Sequence, residues 1–350
     1  MKTLNKLIEV IHLATHKIII AGCGSMSHTW LEYALQRENA VIAGLVDLHA
    51  ETALTLAEKF DLEVPVFTDI NEAIKNTGAN LVFDVTIPAA HPFIVSAALK
   101  AGCHVFGEKP MAETVEDAQR LVDCAMETGK SYSVMQNRRY NRQIRAFGEL
   151  LASGMIGDIG SLHANFFLGP HFGGFREIMD SPLIVDMAIH TFDQARFLLQ
   201  ADPVSVYCHE YNPKGSWYKG NASAVCIFEM NDGSVFTYNG SWCAEGLNTS
   251  WESDWRATGS SGSAAWDGTT SLYAEIKNTS NEDSFIYPVE RKNYEGSWTA
   301  REGHWGCLDE MFASIENGRN AETDCRDNIK SMKMVFGAVE SAKKGVKIHF

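Results

Sequence analysis

A doubly wound α/β domain followed by a second, sheet-rich domain is the architecture that the sequence predicts, and three observations predict it. The β-branched run Lys17 to Ala21 stops at a glycine turn and hands over to a helical pattern. Strand and helix patterns then alternate through Met135, giving six strands with crossover helices. From Gln136 the alternation ends and strand patterns dominate, with the hairpin signal Asn231-Asp232-Gly233 between two of them. A chain of 350 residues is long enough for two domains and a large core.

The first sixteen residues contain two lysines and several apolar residues, but Glu9 and His12 interrupt what would be the apolar centre of a signal peptide. An extra helix over 1–16 is the expectation. Gly22-Cys23-Gly24 ends the first strand, Ser25-Met26-Ser27 follows, and a helix is predicted from His28 to Arg37 with Trp30, Leu31, Ala34 and Leu35 on one face. In this strand, turn, helix context Gly22 allows the tight turn and Gly24 lets backbone amides approach a pyrophosphate, which Ser25 and Met26 would help to cradle. Ser27 takes the third small-residue position. The next strand, Val41 to Val46, ends in Asp47, close to the spacing of about 20 residues at which a carboxylate accepts the ribose hydroxyls of NAD and repels the extra phosphate of NADP. Asp47 could simply cap the helix that begins near Ala50, but the strand and glycine context favours the cofactor reading, with NAD as the cofactor.

The rhythm continues through Pro65–Phe67, a helix from Asp69 to Asn76 and the strand Leu81 to Val85. Thr86, Pro88 and His91 follow at that strand's carboxyl end, where they would meet the nicotinamide half of a dinucleotide, although His91 also suits a packing role. After the helix Phe93 to Ala101, His104-Val105-Phe106 forms a short strand and Gly107 opens the backbone before Glu108-Lys109-Pro110. A lysine held in a partly dry crevice at a sheet's carboxyl edge can exchange a proton near neutral pH. A surface Glu-Lys pair in a tight turn is the plainer reading of the same residues. Val115 to Thr128 is an amphipathic helix with Thr114 as N-cap and Gly129 beyond its end, and Ser131 to Met135 is the sixth strand.

In the second domain a helix from Gln143 to Ser153 precedes strands at Ser161–Leu168, Val204–Glu210, Ala222–Met230 and Ser234–Trp242, with further strands near Trp255–Thr258 and Ala264–Trp266. One helix, Val185 to Leu199, places Asp186, His190 and Asp193 at neighbouring positions, where a carboxylate can orient an imidazole for acid-base work. A zinc reading fails, because no second histidine stands at i+4, so no metal is expected. Against this stands a helix whose Asp186 serves its N-terminus while His190 packs.

Composition narrows the function. A net charge of −14 without any basic cluster argues against nucleic acid or an anionic membrane surface as partner. The eight scattered cysteines lack CxxC spacing and read as buried thiols of a reducing compartment. No stretch reaches the roughly 18 apolar residues of a membrane span, so a soluble cytoplasmic protein is expected.

The segments AGCGSMS with Asp47, TIPAAHPFIVSAALKAGCHVFGEKPMAET, QNRRYN and IVDMAIHTFD, in that order, resemble the glucose-fructose oxidoreductase / inositol dehydrogenase / MocA family. The long segment around Glu108-Lys109-Pro110 is the most specific of them. The resemblance implies a Rossmann domain over 17–135 and an α+β domain over 136–350, with a large open, mostly antiparallel sheet that forms a homodimer or homotetramer interface. It implies hydride transfer between NAD and a secondary hydroxyl of a sugar, glycoside or cyclic polyol. By position, Lys109 matches the lysine that hydrogen-bonds the reacting hydroxyl, Asp186 and His190 match the acid-base pair, and Glu108 belongs to the cofactor side. Asn137, Arg138, Tyr140 and Arg176 remain to hold a polyhydroxylated ring with Asp186 and His190. The segment from His171 to Asp180 and the run Trp242 to Trp266 would shape the pocket, although Trp251 and Trp255 singly suit a core. Two alternatives share this frame: a glycosidase that uses NAD for transient oxidation, and a non-catalytic NAD-binding sensor.

Overall fold

The computed structural model describes residues 15–280 and 284–350. The helix expected over 1–16 therefore lies almost wholly outside the described residues, and His16 instead opens the first strand. The chain divides into two compact units, Met1–Glu108 with Cys124–Tyr132 and Lys109–Asp123 with Ser133–Phe350.

The first unit is built on a six-stranded sheet of order β3-β2-β1-β4-β5-β6. Its strands are β1 (His16–Ala21), β2 (Ala40–Val46), β3 (Val66–Phe67), β4 (Leu81–Asp84), β5 (His104–Gly107) and β6 (Tyr132–Val134). Helices α1 (Ser27–Leu35), α2 (Ala50–Lys59), α3 (Ile70–Thr77), α4 (His91–Lys100) and α5 (Val115–Thr128) make the crossovers, with Val115–Asp123 of α5 and Ser133–Val134 of β6 counted in the second unit. Strands β1, β2, β3, β4 and β5 pair in parallel. A sheet covered on both faces needs continuous apolar strands, and Ile18, Ile19 and Ile20 are all 0% exposed. Trp30 of α1 meets Phe83 edge to face at 5.0 Å, and Phe83 stacks on Phe106 at 5.8 Å. Thr114 caps α5 by accepting the Asp117 N–H at 3.0 Å, as the sequence predicts.

The second unit carries a nine-stranded sheet of order β14-β13-β12-β11-β7-β10-β9-β8-β15. Its strands are β7 (Ile159–Phe167), β8 (Pro203–Tyr211), β9 (Ser223–Met230), β10 (Val235–Ser241), β11 (Asp254–Gly259), β12 (Gly262–Trp266), β13 (Leu272–Lys277), β14 (Val289–Asn293) and β15 (Ile348–His349). Among the described residues only β7 and β10 pair in parallel, and β9 and β10 form the predicted hairpin. Helices α6 (Arg142–Ala152), α7 (Ile189–Leu199), α8 (Gly303–Glu316) and α9 (Cys325–Lys344) accompany the sheet. Phe192 of α7 meets Phe228, Phe236 and Tyr238 edge to face, so that helix seals one face of the sheet. The opposite face keeps Tyr207, Tyr211, Val225 and Ile227 exposed, with Tyr207 directly across from Ile227.

Candidate active site

In the first unit, Gly22 adopts φ +85°, and a Cβ there would stand 2.6 Å from the Val85 carbonyl oxygen. Only glycine lets the turn lie this close to the end of β4. A Cβ on Gly24 would meet nothing within 4 Å, so that glycine leaves open space above the turn instead of filling a crowded spot. Ser27 donates its hydroxyl to the Gly24 carbonyl at 2.6 Å and starts α1, whose first turn carries no acidic residue. Gly24, Ser25 and Met26 are exposed at the tip. Open amides over an uncompensated helix N-terminus fit a dinucleotide pyrophosphate.

Asp47 serves this turn directly. One carboxylate oxygen accepts the Cys23 N–H at 2.9 Å and the other accepts the His49 N–H at 2.9 Å. The residue at the N-cap of α2 is His49, so Asp47 makes a turn before the helix and is not itself the cap.

At the end of β4, Asp84 gathers the next candidates. It pairs with His91 Nδ1 at 2.7 Å and accepts from the Thr86 hydroxyl at 2.6 Å, with both ionisable side chains fully buried. Burial opposes the His91 imidazolium, but the Asp84 carboxylate, its hydrogen bond and the charge of Glu108 raise the imidazole above its ordinary value. His91 Nε2 is buried without a partner among the described residues, while Pro88 is half-buried in the same loop. Glu108 accepts the Trp30 indole N–H at 2.8 Å.

The second unit begins at Lys109, and the Lys109–Pro110 bond is cis. Lys109 Nζ donates to the Asp186 carbonyl oxygen at 3.0 Å and to its carboxylate at 3.2 Å. The other Asp186 oxygen accepts from Arg176 Nε at 2.6 Å. Burial works against ionisation of Asp186, yet Lys109 and Arg176 together hold its carboxyl below the usual range. Residues Leu183–Ala188 form a π-helical turn before α7. The uniform helix expected from Val185 therefore does not form. The wider turn removes the regular i, i+4 stacking of Asp186 on His190, and Asp186 is taken by the two cations.

His190 is 8% exposed, and its Nδ1 finds no partner among the described residues. Burial, reinforced by Lys109, Arg138 and His304, pushes its imidazole well below the ordinary value. Burial and the surrounding cations thus favour the neutral ring, and its Nδ1 is left buried without a partner among the described residues. His304, in the first turn of α8, is a neighbour that the sequence reading missed, because a histidine beside Gly303 and Trp305 matches no motif. Its Nδ1 lies 3.4 Å from the Asn137 amide.

The remaining candidates separate. Arg138 Nη1 donates to Glu252 at 3.0 Å and to the Trp251 carbonyl. Tyr140 is 1% exposed, and its ring lies under the Arg145 guanidinium and beside Trp298, which places it in the core. Asp193, about one turn into α7, binds Arg139 and serves the fold. Trp255 is fully buried, whereas Trp251 is 42% exposed and faces Phe172 from the segment of His171 to Asp180. Among the described residues no group of three or more His, Cys, Asp or Glu side chains could hold a metal, and no helix is long and apolar enough to cross a membrane.

Residues 16–136 match the family described as an oxidoreductase family with an NAD-binding Rossmann fold, and residues 144–265 match the GFO/IDH/MocA C-terminal domain. An uncharacterized protein of Sinorhizobium fredii is 27% identical over 347 residues, covering 95% of this chain and 94% of its own. A 1,5-anhydro-D-fructose reductase of Ensifer adhaerens is 29% identical over 53% of this chain and 56% of its own. An inositol 2-dehydrogenase/D-chiro-inositol 3-dehydrogenase of Lacticaseibacillus casei is 29% identical over 54% and 55%. The match thus spans about half the length of these two named relatives. Among solved structures, an Agrobacterium radiobacter oxidoreductase in complex with NAD+, L-tartaric acid and magnesium superposes with TM-score 0.82 at 20% identity, covering 96% of this chain and 98% of its own. A levoglucosan dehydrogenase in complex with NADH and levoglucosan gives 0.78 at 18%, covering 96% and 99%. The two family matches, with the parallel six-stranded sheet and its glycine turn, make this chain a member of the Gfo/Idh/MocA family of NAD-binding oxidoreductases.

Proposed function

We propose that the chain is an NAD-dependent dehydrogenase that oxidises a secondary hydroxyl of a sugar, glycoside or cyclic polyol. The carrying observation is Lys109, fixed by both the carbonyl and the carboxylate of Asp186, with the buried imidazole of His190 nearby and one of its nitrogens unpartnered. When bound, NAD supplies the acceptor for the carbinol hydride. The chain's own residues manage the proton: Lys109 donates toward the reacting oxygen and stabilises the negative charge that develops there, and His190 accepts the hydroxyl proton. Asp186 is a positioning residue that aims Lys109. Gly22, Gly24, Ser25, Met26, Asp47, Thr86, Pro88, His91 and Glu108 form the cofactor side within 17–135, and Asn137, Arg138 and Arg176 hold substrate within 136–350. The half-exposed Trp251 offers an aromatic face to a sugar ring.

The carboxylate of Asp47 at the ribose end favours NAD over NADP. The exposed apolar face of β8 and β9 suits a homodimer or homotetramer, which light scattering on the purified chain would test. Eight cysteines without a disulfide suit the cytoplasm.

Absorbance of NADH, followed with NAD or NADP and a panel of inositols, aldoses and glycosides, tests the reading. Steady NADH formation is expected, and Lys109→Ala should lower kcat by about 10²–10⁴ while NAD still binds. Undiminished turnover in that variant would remove Lys109 from the chemistry.

A further inference from the structure

Two segments of the second unit, one after β7 and one after β10, leave large apolar side chains in the open. Phe172 is 41% and Phe175 62% exposed, with Ile178 exposed in the same segment, and Leu247 and Trp251 are exposed in the other. Neither segment is slack. In the first, the Trp217 indole N–H and the Tyr218 hydroxyl donate to the Pro170 carbonyl at 3.2 and 2.9 Å, and the Lys219 N–H donates to the Glu177 carbonyl at 2.8 Å. The second is tied to α7 by Gln194 Nε2, which donates to Glu252 at 3.0 Å, and to the Gly268 carbonyl by the Ser250 hydroxyl at 2.8 Å. The two meet at Phe172, whose ring lies 6.2 Å from Trp251 and 5.2 Å, edge to face, from Trp242. Arg176 joins them to the reacting end: its guanidinium lies 5.1 Å from the Phe172 ring and 4.7 Å from the Phe175 ring, while its Nε donates to Asp186, to which Lys109 also donates. Other polar groups of the first segment are engaged with its own backbone or supports, Glu177 with the Gly173 N–H and His171 with Trp217 and Glu245. A sugar ring needs hydrogen-bond partners around its rim, whereas this surface presents ring faces and alkyl groups.

We propose that the substrate is a glycoside with an aromatic aglycone, and that Phe172 and Phe175 receive the aglycone while the sugar stays with Lys109, Asp186 and His190, Trp251 standing at the junction. The inference rests on the dehydrogenase reading and names the substrate class of that site. A surface already held in place binds an aryl group without first being ordered, and edge-to-face or offset ring contacts add to the area removed from water. A free sugar or an inositol has no group that would cover these rings. The other occupant that exposed rings invite is a second copy of the chain. Trp242 follows Phe236 and Tyr238 at two-residue spacing, on the sheet face that α7 covers, and Phe172 packs on it there. The exposed Tyr207 and Ile227 belong to the opposite face, so an assembly built on them leaves the aromatic surface open.

The test uses the full chain with NAD and matched sets built on glucose, galactose, mannose and xylose: the free sugar, its methyl glycoside and its phenyl glycoside, with myo-inositol beside them. For the sugar oxidised fastest, the phenyl glycoside should exceed the methyl glycoside in kcat/KM by about ten- to a hundredfold, mainly through KM. Phe175→Ala should cut that ratio by about five- to thirtyfold, and Phe175→Tyr, which keeps the ring, should preserve it. Phe172→Ala should act in the same direction. A methyl glycoside, free sugar or myo-inositol that matches or surpasses the phenyl glycosides overturns the proposal, as does a ratio that ignores both alanine substitutions. Light scattering should find the assembly of Phe175→Ala unchanged; its dissociation would mean that a second copy covers the rings, and would overturn the proposal as well. If no compound yields NADH, the dehydrogenase reading fails, and calorimetry with the phenyl and methyl glycosides then decides the binding claim. Tighter binding of a phenyl glycoside that Phe175→Ala weakens supports it, and equal binding, no binding, or binding that ignores the substitution overturns it.

Discussion

The ion pair between Arg139 and Asp193 ties the turn that bears Arg138 to the helix that bears His190, and its removal should be costly in a way the geometry specifies. Arg139 Nε and Nη2 donate to the two Asp193 oxygens at 2.5 and 2.8 Å, with the side chains 7% and 2% exposed. Asp193→Ala leaves Arg139 with the Asp327 carboxylate at 3.0 Å and the Glu322 carbonyl at 3.3 Å, and removes the acceptor of the Ser331 hydroxyl. A buried cation that loses its main partner costs about 3–5 kcal/mol, more than about a hundredfold in the opening equilibrium. The remaining Asp327 contact puts the expectation at the lower end. Because the chain has two compact units, a single unfolding midpoint is a poor measure. Native-state hydrogen exchange of amides in α7 and α9 reads the right region. The double variant Arg139→Met with Asp193→Leu should recover most of the loss, since the desolvation cost disappears with both charges. A change below about 1 kcal/mol in the single variant, or a double variant no better than the single, would refute the reasoning.

The two glycines of the turn should respond differently. Gly22→Ala drives a methyl group into the Val85 carbonyl at a positive φ and should lower the hydrogen-exchange protection of β1 and β4, whereas Gly24→Ala should leave that protection nearly unchanged and weaken NAD binding in a titration. Stability should also fall with acidification across one defined window. Burial, with Lys130 and His16 adding to it, lowers the His104 imidazole to about 4, and its Nδ1 accepts the Ser131 N–H at 3.1 Å, which protonation would break. The unfolded chain binds a proton there below about pH 6.5 and the folded chain does not. Stability is lost as pH falls from about 6.5 to about 4, and His104→Gln should flatten denaturation midpoints over that range.

Much of this molecule was legible in its sequence because local chemistry and tertiary role coincide. The β-branched strand before Gly22 and the hairpin at Asn231-Asp232-Gly233 announce themselves through period and turn residues, and the structure keeps them within a residue or two. Helix α5 kept the predicted limits Val115–Thr128. The π turn before His190 was not legible, since Leu183–Ala188 has the composition of an ordinary helix and the widening accompanies Asp186's bonds to Lys109 and Arg176. His304 comes more than a hundred residues after His190 and enters only through tertiary packing. Tyr140 stands in a polar, basic stretch, yet the Arg145 guanidinium and Trp298 enclose it. A pattern reader sees polarity along the chain, and burial is decided by what folds over it.

The two bonds of Asp47 carry a consequence for redesign. A carboxylate at the end of β2 is the natural target for anyone wishing to move the chain toward a phosphorylated cofactor. Here, however, the same two oxygens close the Cys23 and His49 amides, so a small or cationic replacement would strip the glycine turn of its acceptors. Cofactor exchange in this scaffold has to retain an acceptor at position 47 and bring its new positive charge from a neighbouring residue, such as the exposed Leu48. The loop's rigidity and its choice of ligand are inherited together.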